Sequence, residues 1–519
     1  MLLSMTAVLA EDDNTYSTTA ITSNTCSLQI TNTGKTAHTF VLYQIFKGDI
    51  NDEGKLSNIV WGTGVTSAGQ TTLGTASTVA EGVSDAKVFA AQVEPYLTGG
   101  VESTSVAANG SYTYQNLYPG YYMVLDKADS QSGQDSTYTA YIMEVVGAAV
   151  ATTKIDVPTV VKKVKDIDDV TGTQSSWQDA ADYDIGDHVP YQITATLPSN
   201  FADYKYYTVY TIEDTLSNGL TYDSNATITI APEITTAVAD IFDIAYANQK
   251  LTISLKRGVD LKTIDGITKN TTFTIEYTAT LNSNAVAGST GNENEVDLTY
   301  SNNPQWDGTG TPDTGKTPKD KVIVFTYIPQ VDKVNSKDEP LKGAGFTLYK
   351  AVTADYAEDD ASTKKLGSAI KTELAASNAS IEASALVDDT YYITKAMTVL
   401  SNETSFNFNG LDAGTYVLVE TTIPAGYNAF KSDTIVITAV LDADDDNPSL
   451  TSVAADKILL TSTKDDTDKN LEGAIRNNEG TTLPSTGGVG TTIFYIAGSL
   501  LAVVAVILLV TKRRMGSND

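Results

Sequence analysis

The stretch Thr159-Val160-Val161-Lys162-Lys163-Val164-Lys165 decides how the chain is read. Its β-branched residues favour an extended strand. Residues of equal parity share a strand face, so Val160, Lys162 and Val164 point the same way and a lysine stands between two core valines. A lone buried ammonium is strongly unfavourable, so such a lysine is neutralised, paired or consumed in a bond. Further on, Ile212, Asp214 and Leu216 put a carboxyl on an apolar face. Asn294, Val296, Leu298 and Tyr300 do the same with a carboxamide. Parity alone does not choose between a buried Lys/Asp/Asn set and an exposed edge-strand lysine with Asp214 or Asn294 as turn residues. A strand phase off by one would put Glu213 in place of Asp214.

The pattern returns later with different spacing. Val331 and Lys333 share a face just before Leu341-Lys342-Gly343-Ala344-Gly345-Phe346-Thr347-Leu348-Tyr349. In Gly414-Thr415-Tyr416-Val417-Leu418-Val419-Glu420, the side chains of Tyr416, Leu418 and Glu420 face one way, which aims the glutamate at the core. Ile475 and Asn477 close that segment, with Asn478 as the near alternative.

Towards the N-terminus, segments such as 27–30 and 39–45 alternate between turns bearing Gly and Asn, the mark of a β-sandwich. Residues 84–96 are the best helix candidate, with Pro95 to stop it. Asp49-Ile50-Asn51-Asp52-Glu53-Gly54 has the start of a calcium loop, but its twelfth position is Val60 and not a bidentate glutamate, so a hairpin turn is the better reading. The fold class is therefore all-β.

The two ends place the chain. Residues 1–10 read as the end of a secretory signal, with Val8 and Ala10 at the small-residue cleavage positions. Near the other end stands Leu483-Pro484-Ser485-Thr486-Gly487, then an apolar run over 493–510, then Lys512, Arg513 and Arg514. That run is long enough for a helix to cross a bilayer core of about 30 Å, and the basic cluster favours the cytoplasmic side. A plain single-span membrane protein is one reading of this end.

The order of pentapeptide, apolar helix and basic tail resembles a Gram-positive cell-wall sorting signal. The resemblance implies that a sortase cleaves between Thr486 and Gly487 and passes the threonyl group to an amine, so the membrane holds the chain only transiently. Asp184-Ile185-Gly186-Asp187, Thr194 to Pro198, Asp214-Thr215-Leu216 and Gly291 to Tyr300 resemble the isopeptide-forming middle domain of sortase-assembled pilins. There a lysine amine attacks an asparagine carboxamide with loss of ammonia. The resemblance implies Lys162, Asp214 and Asn294 in those roles. The segment with Lys333, Glu420 and Asn477 resembles the prealbumin-like, Cna-B-type domain of Gram-positive adhesins and pilins, where the glutamate promotes a Lys–Asn bond. Asn116-Leu117-Tyr118-Pro119-Gly120-Tyr121-Tyr122 resembles the closing hairpin of N-terminal pilin domains. The expected layout is a signal remnant at 1–10, an N-terminal pilin domain at 11–155, an isopeptide-forming middle domain at 156–328, a Cna-B/prealbumin-like domain at 329–480 and a sorting signal at 481–519. These are tandem immunoglobulin-like and prealbumin-like β-sandwiches followed by a C-terminal transmembrane helix.

Composition narrows the function. Net charge is −30, with 34 basic against 64 acidic residues, which argues against nucleic-acid partners. Cys26 is the only cysteine, so no internal disulfide can form and core packing or another covalent link must hold the secreted domains. His38 and His188 fall in different predicted domains, which excludes a Ser/His/Asp triad or a histidine-based metal cluster; no cofactor and no metal are expected. The acidic run 442–447 reads as a solvated turn. The expectation is a structural pilus shaft subunit on the cell wall, not an enzyme, with sortase, neighbouring subunits and peptidoglycan as partners. The alternative is a monomeric wall-anchored adhesin that binds host surface ligands. Shaft subunits of this kind need a lysine that accepts the next subunit's threonine. Lys154, in the junction Thr152-Thr153-Lys154-Ile155-Asp156-Val157-Pro158, is the candidate, with Lys163 and Lys165 as rivals.

Overall fold

The computed structural model describes residues 25–153, 156–356, 364–397, 402–443, 447–456, 459–460 and 474–480, together with Ser499 and Leu501. The signal remnant at 1–10, Lys154, the sorting pentapeptide and all of the apolar run at 493–510 except Ser499 and Leu501 lie outside the described residues. Six sheets pair into three successive sandwiches.

In the first sandwich, Cys26–Thr31 lies between Ser111–Leu117, antiparallel, and Ala148–Thr152, parallel. Its alternating burial is that of a strand with one face on a core. Opposite it, Phe40–Ile50, Gly120–Asp126 and Ala140–Val145 supply Phe40, Leu42, Tyr122, Val124 and Val145 to the same core. The sequence around 49–54 forms the hairpin turn between Phe40–Ile50 and Leu56–Trp61, where Asn51 Oδ1 accepts the backbone N–H groups of Glu53 and Lys55 at 3.1 and 2.8 Å. The helix expected over 84–96 forms as Ala86–Val93, and Pro95 falls in the 3₁₀ turn Glu94–Tyr96 that ends it. Two shorter helices, Ser67–Leu73 and Ala76–Gly82, precede it and bury only Gly69 and Ala76, so no apolar stripe announces them.

The second sandwich stacks a seven-stranded sheet on a five-stranded one. Val160–Val164 pairs with His188–Thr196, which pairs in turn with Thr272–Leu281. In the facing sheet Tyr210–Leu216 lies between Asn292–Ser301 and Lys250–Leu255. The core between them is rich in tyrosine, with Tyr191, Tyr207, Tyr210, Tyr277 and Tyr300 all buried.

In the third sandwich, Pro329–Asn335 pairs with Ser405–Asn407 on one side and runs parallel to Ala474–Asn477 on the other, so the first and last strands of the domain are neighbours. The facing six-stranded sheet has Gly345–Val352 and Gly414–Thr422 at its centre. Gly345–Val352 is buried at every position because both its faces are covered. The inserted segment, with the helix Gly367–Ser377, packs Ile370 and Leu386 on the outer face against Tyr349, Val417 and Val419.

Hydrogen bonds tie the sandwiches together. The 127–137 loop of the first lies against the second: Gly133 N donates to Thr314 O, Lys316 N to Gln134 O and Asn302 Nδ2 to Gln131 O at 2.7, 3.0 and 2.9 Å. A Cβ on Gly315 would stand 2.6 Å from the Tyr300 ring and 2.7 Å from Gln134 O, so this close approach requires glycine. At the second joint Ile185 N donates to Gly410 O at 2.8 Å and Tyr327 N to Leu411 O at 2.6 Å. Ala180, Ile323 and Phe325 of the second sandwich enter the core of the third.

Candidate functional site

Lys162, Asp214 and Asn294 meet inside the second sandwich with no exposed surface. Lys162 belongs to the five-stranded sheet, opposite Ile193. Asp214 and Asn294 stand on neighbouring strands of the other sheet, where Asn294 pairs with Leu216 and Asp214 with Val296. The lysine therefore reaches from one sheet to the other. Its Nζ lies 2.7 Å from Asp214 Oδ1 and 2.9 Å from the Tyr277 hydroxyl. The rings of Tyr191 and Tyr277 flank it, with centroids 4.9 and 5.1 Å away. Burial pushes the Lys162 pKa down against the pull of Asp214, and burial raises that of Asp214 against the pull of Lys162. Both shifts favour a neutral amine beside a neutral acid. Glu213 points the other way and pairs at the surface with Lys250 at 3.0 Å and Lys316 at 3.5 Å.

In the third sandwich Lys333 and Asn477 are on adjacent parallel strands of one sheet, where Lys333 pairs with Ile475 and Asn335 with Asn477. Glu420 comes from the facing sheet, opposite Phe346. Lys333 Nζ donates to Asn477 Oδ1 at 2.5 Å and to Ile475 O at 3.2 Å, and lies 3.4 Å from Glu420 Oε1. Asn477 Nδ2 donates to both glutamate oxygens at 2.8 and 2.9 Å, and Phe430 N also donates to Oε2 at 2.8 Å. Burial brings the Lys333 pKa down to about 8 although Glu420 opposes it, so about a tenth of the amine is uncharged at pH 7, far more than for a free lysine. Asn478 is exposed and uses its backbone carbonyl to accept from Asn428 N at 2.9 Å.

Both arrangements hold the parts of an acyl transfer: a desolvated amine, a carboxamide and a carboxyl within proton-transfer reach. Of the rivals to Lys154, Lys163 pairs with Asp179 at 2.6 Å, and Lys165 lies over the Trp177 ring at 4.8 Å. His38 and His188 each pair with an aspartate, Asp126 at 2.8 Å and Asp223 at 2.7 Å, in different sandwiches.

A third charged group, not anticipated from the sequence, lies at the joint between the second and third sandwiches. Lys350 Nζ is 2.5 Å from Asp169, 2.7 Å from Asp184 and 2.7 Å from Asp412; Lys395 is 2.9 Å from Asp184. Asp169, Asp184, Asp187 and Asp412 have carboxylate oxygens within 4.8 Å of one another, a spacing that could hold a metal ion. The Lys350 ammonium touches three of them, so the cation these carboxylates enclose is a lysine. Burial alone would lower the Lys350 pKa, but Asp184 and Asp412 hold it well above its usual value. The contributing positions are scattered from 169 to 412, and only the pairing of two domains brings them together.

The comparisons with known proteins agree with this architecture. Residues 185–304 match the model of the Gram-positive pilin backbone subunit 2, Cna-B-like domain. Residues 329–453 match a prealbumin-like fold domain and 476–515 an LPXTG cell wall anchor motif. The chain is 27% identical to the trypsin-resistant surface T6 protein of Streptococcus pyogenes serotype M6, over 95% of each chain. The solved structure of the T6 backbone pilin of that serotype, described as a modular three-domain structure decorated with variable loops and extensions, superposes with TM-score 0.50 at 18% identity, over 91% of this chain and 100% of that one. The full-length major pilin SpaD from Corynebacterium diphtheriae gives TM-score 0.44 at 17% identity, over 88% of this chain and 98% of that one. With a pilin-backbone domain, a prealbumin-like domain and a wall-anchor motif in order along one chain, the protein is a cell-wall-anchored backbone subunit of a Gram-positive pilus.

Proposed function

We propose that this subunit is polymerised by sortase through Thr486 and Lys154, and that bonds Lys162–Asn294 and Lys333–Asn477 seal its second and third domains. The observation that carries the reading is the pair of buried Lys/acid/Asn groups in which burial depresses the lysine pKa. In the third domain the neutral Lys333 amine attacks Cγ of Asn477. Glu420, within reach of both nitrogens, takes a proton from Nζ and gives one to Nδ2, and ammonia leaves. In the second domain Asp214 is the acid.

The placement of the bonds suits a fibre under tension. Force entering at Lys154 and leaving at Thr486 meets Lys162 soon after it enters and Asn477 shortly before it leaves. Each bond lets the load bypass the strands it encloses, so only the segment from Asn294 to Lys333 remains in series between the two bonds. The first sandwich lies outside that path.

Two mass measurements test the proposal. The intact recombinant ectodomain is expected to weigh two ammonia molecules less than its sequence, and full sequence mass would sink the bonds. Tryptic digestion of native polymer is expected to yield a branched peptide joining Thr486 to Lys154. A branch at Lys163 or Lys165 would reassign the acceptor, and a chain with no branch would favour the monomeric adhesin.

A further inference from the structure

The two lysine sites solve one geometric problem differently. Proton transfer from the attacking amine to the departing amide nitrogen needs a group that touches both. In the third domain Glu420 does this alone, with Oε1 3.4 Å from Lys333 Nζ and 2.8 Å from Asn477 Nδ2. In the second domain the acid is an aspartate, one methylene shorter. Asp214 Oδ1 reaches Lys162 Nζ at 2.7 Å, but the Asn294 amide donates to Tyr277 Oη at 2.7 Å instead. The Tyr277 hydroxyl in turn donates to Asp214 Oδ2 in a short hydrogen bond. A tyrosine hydroxyl buried this deeply needs a polar partner, and here all its partners belong to the reacting group. Its ring is fixed by stacking on Tyr191 at 5.2 Å and by the edge of Tyr222 at 5.7 Å.

Resting on the cross-link reading above, the geometry points to Tyr277 as the proton relay of the second site, completing the reach that Asp214 lacks. The Lys162 amine attacks Cγ of Asn294 and the carbonyl π pair moves to Oδ1, an atom without a hydrogen-bond partner in the folded chain. The new C–N bond leaves Nζ with a proton to lose. With Asp214 protonated on Oδ2, the Tyr277 hydroxyl accepts from it and turns its own hydrogen toward Asn294 Nδ2. The Nζ proton then passes to Asp214 Oδ1, the Oδ2 proton to Tyr277 Oη, and the original hydroxyl proton of Tyr277 to Asn294 Nδ2. The carbonyl re-forms, the Cγ–Nδ2 bond breaks and ammonia departs. One proton has crossed from the lysine nitrogen to the leaving nitrogen, and Asp214 and Tyr277 end as they began. The relay needs Asp214 protonated at the start, the form that burial favours.

The test compares wild type, Tyr277→Phe and Asp214→Glu/Tyr277→Phe as full ectodomains, reading each bond separately by intact mass and by cross-linked tryptic peptides over time. Tyr277→Phe is expected to form the 162–294 bond about 100-fold or more slowly, the usual scale for a lost proton-transfer group. The 333–477 bond in the same molecule should form as in wild type. The double variant, whose longer carboxyl can touch Nδ2 directly, should regain the 162–294 bond, a rescue that a purely structural role for the tyrosine would not give. Formation at the wild-type rate in Tyr277→Phe overturns the relay while the cross-link reading stands. A double variant that folds but stays unbonded likewise overturns it. A wild-type chain without the 162–294 bond removes relay and reading together.

Discussion

Replacing Glu420 by glutamine is the cleanest perturbation of the third domain. The side chain keeps its size, and its carbonyl can still accept from Phe430 N or Asn477 Nδ2, as Glu420 does at 2.8 Å in each case. What is lost is the proton carrier, so Lys333 is expected to stay a lysine, still donating to Asn477 Oδ1 and Ile475 O. Lys333 and Asn477 are 144 positions apart. In the chain-entropy model, opening a loop of that length returns about 5 kcal/mol of freedom to the unfolded chain. For a domain of this size each kcal/mol moves the melting temperature by about 2–4 °C, so Glu420→Gln should lower the third domain's transition by about 10–20 °C. Calorimetry gives the shift, and intact mass on the same sample reports whether one ammonia of deficit has gone. A variant that retains the full deficit shows that Glu420 is not the acid. One that loses the bond yet melts within a degree or two of wild type refutes the loop-entropy argument.

The joint between the second and third domains supports two further expectations. Burial raises the pKa of both Asp166 and Asp187 from 3.8 to about 7, with Asp182 and Asp184 respectively adding to the shift. Between about pH 4 and 7 the folded chain therefore holds protons that the unfolded chain has released, so their contribution to stability falls as pH rises through that window. Thermal unfolding should show higher stability at pH 5 than at pH 8, on the order of 1–2 kcal/mol because clustered carboxyls share protons, and Asp187→Asn should flatten the slope. Lys350→Met leaves the buried Asp169, Asp184 and Asp412 without their shared ammonium and should destabilise the joint by about 3–5 kcal/mol. Faster hydrogen exchange at Tyr327, whose amide bonds Leu411 O at 2.6 Å across the joint, would report it, and unchanged protection there would contradict a clamping role.

Strand parity put Lys162, Asp214 and Asn294 on apolar faces, because a period of two leaves only two faces to choose from, but it left an exposed edge-strand lysine equally open. It could not say which sheet each strand joins. Lys162 faces Asn294 across the sandwich, whereas Lys333 and Asn477 are side by side within one sheet; that distinction depends on long-range pairing. Tyr277 was illegible for a related reason. In Thr272–Leu281 it stands with Phe273, Ile275 and Ala279 on an ordinary apolar face, and only the opposing sheet shows what its hydroxyl meets. The insertion in the third domain also changed a local pattern: Gly345–Val352 does not alternate in burial, since helix Gly367–Ser377 covers the face that would otherwise be wet.

Among the described residues of the last two domains, Lys162, Lys333 and Lys350 are fully buried and the Lys395 side chain is only 7% exposed, and their surroundings divide these four by chemistry. Burial acts on all four in the same direction, against the charged form. Lys162 and Lys333 each face a single carboxyl, and desolvation outweighs that one attraction, so the pKa falls and the neutral amine becomes more accessible than in a free lysine. Lys350 meets three carboxylates, and Lys395 meets Asp184 at 2.9 Å and Asp187 at 3.7 Å; there the attraction prevails and the ammonium persists. An ammonium has no lone pair with which to attack, so the joint is an ionic clamp even though lysine and carboxyl are in contact. The number of carboxyls around each buried lysine thus separates groups suited to bond formation within a domain from those that hold two domains together.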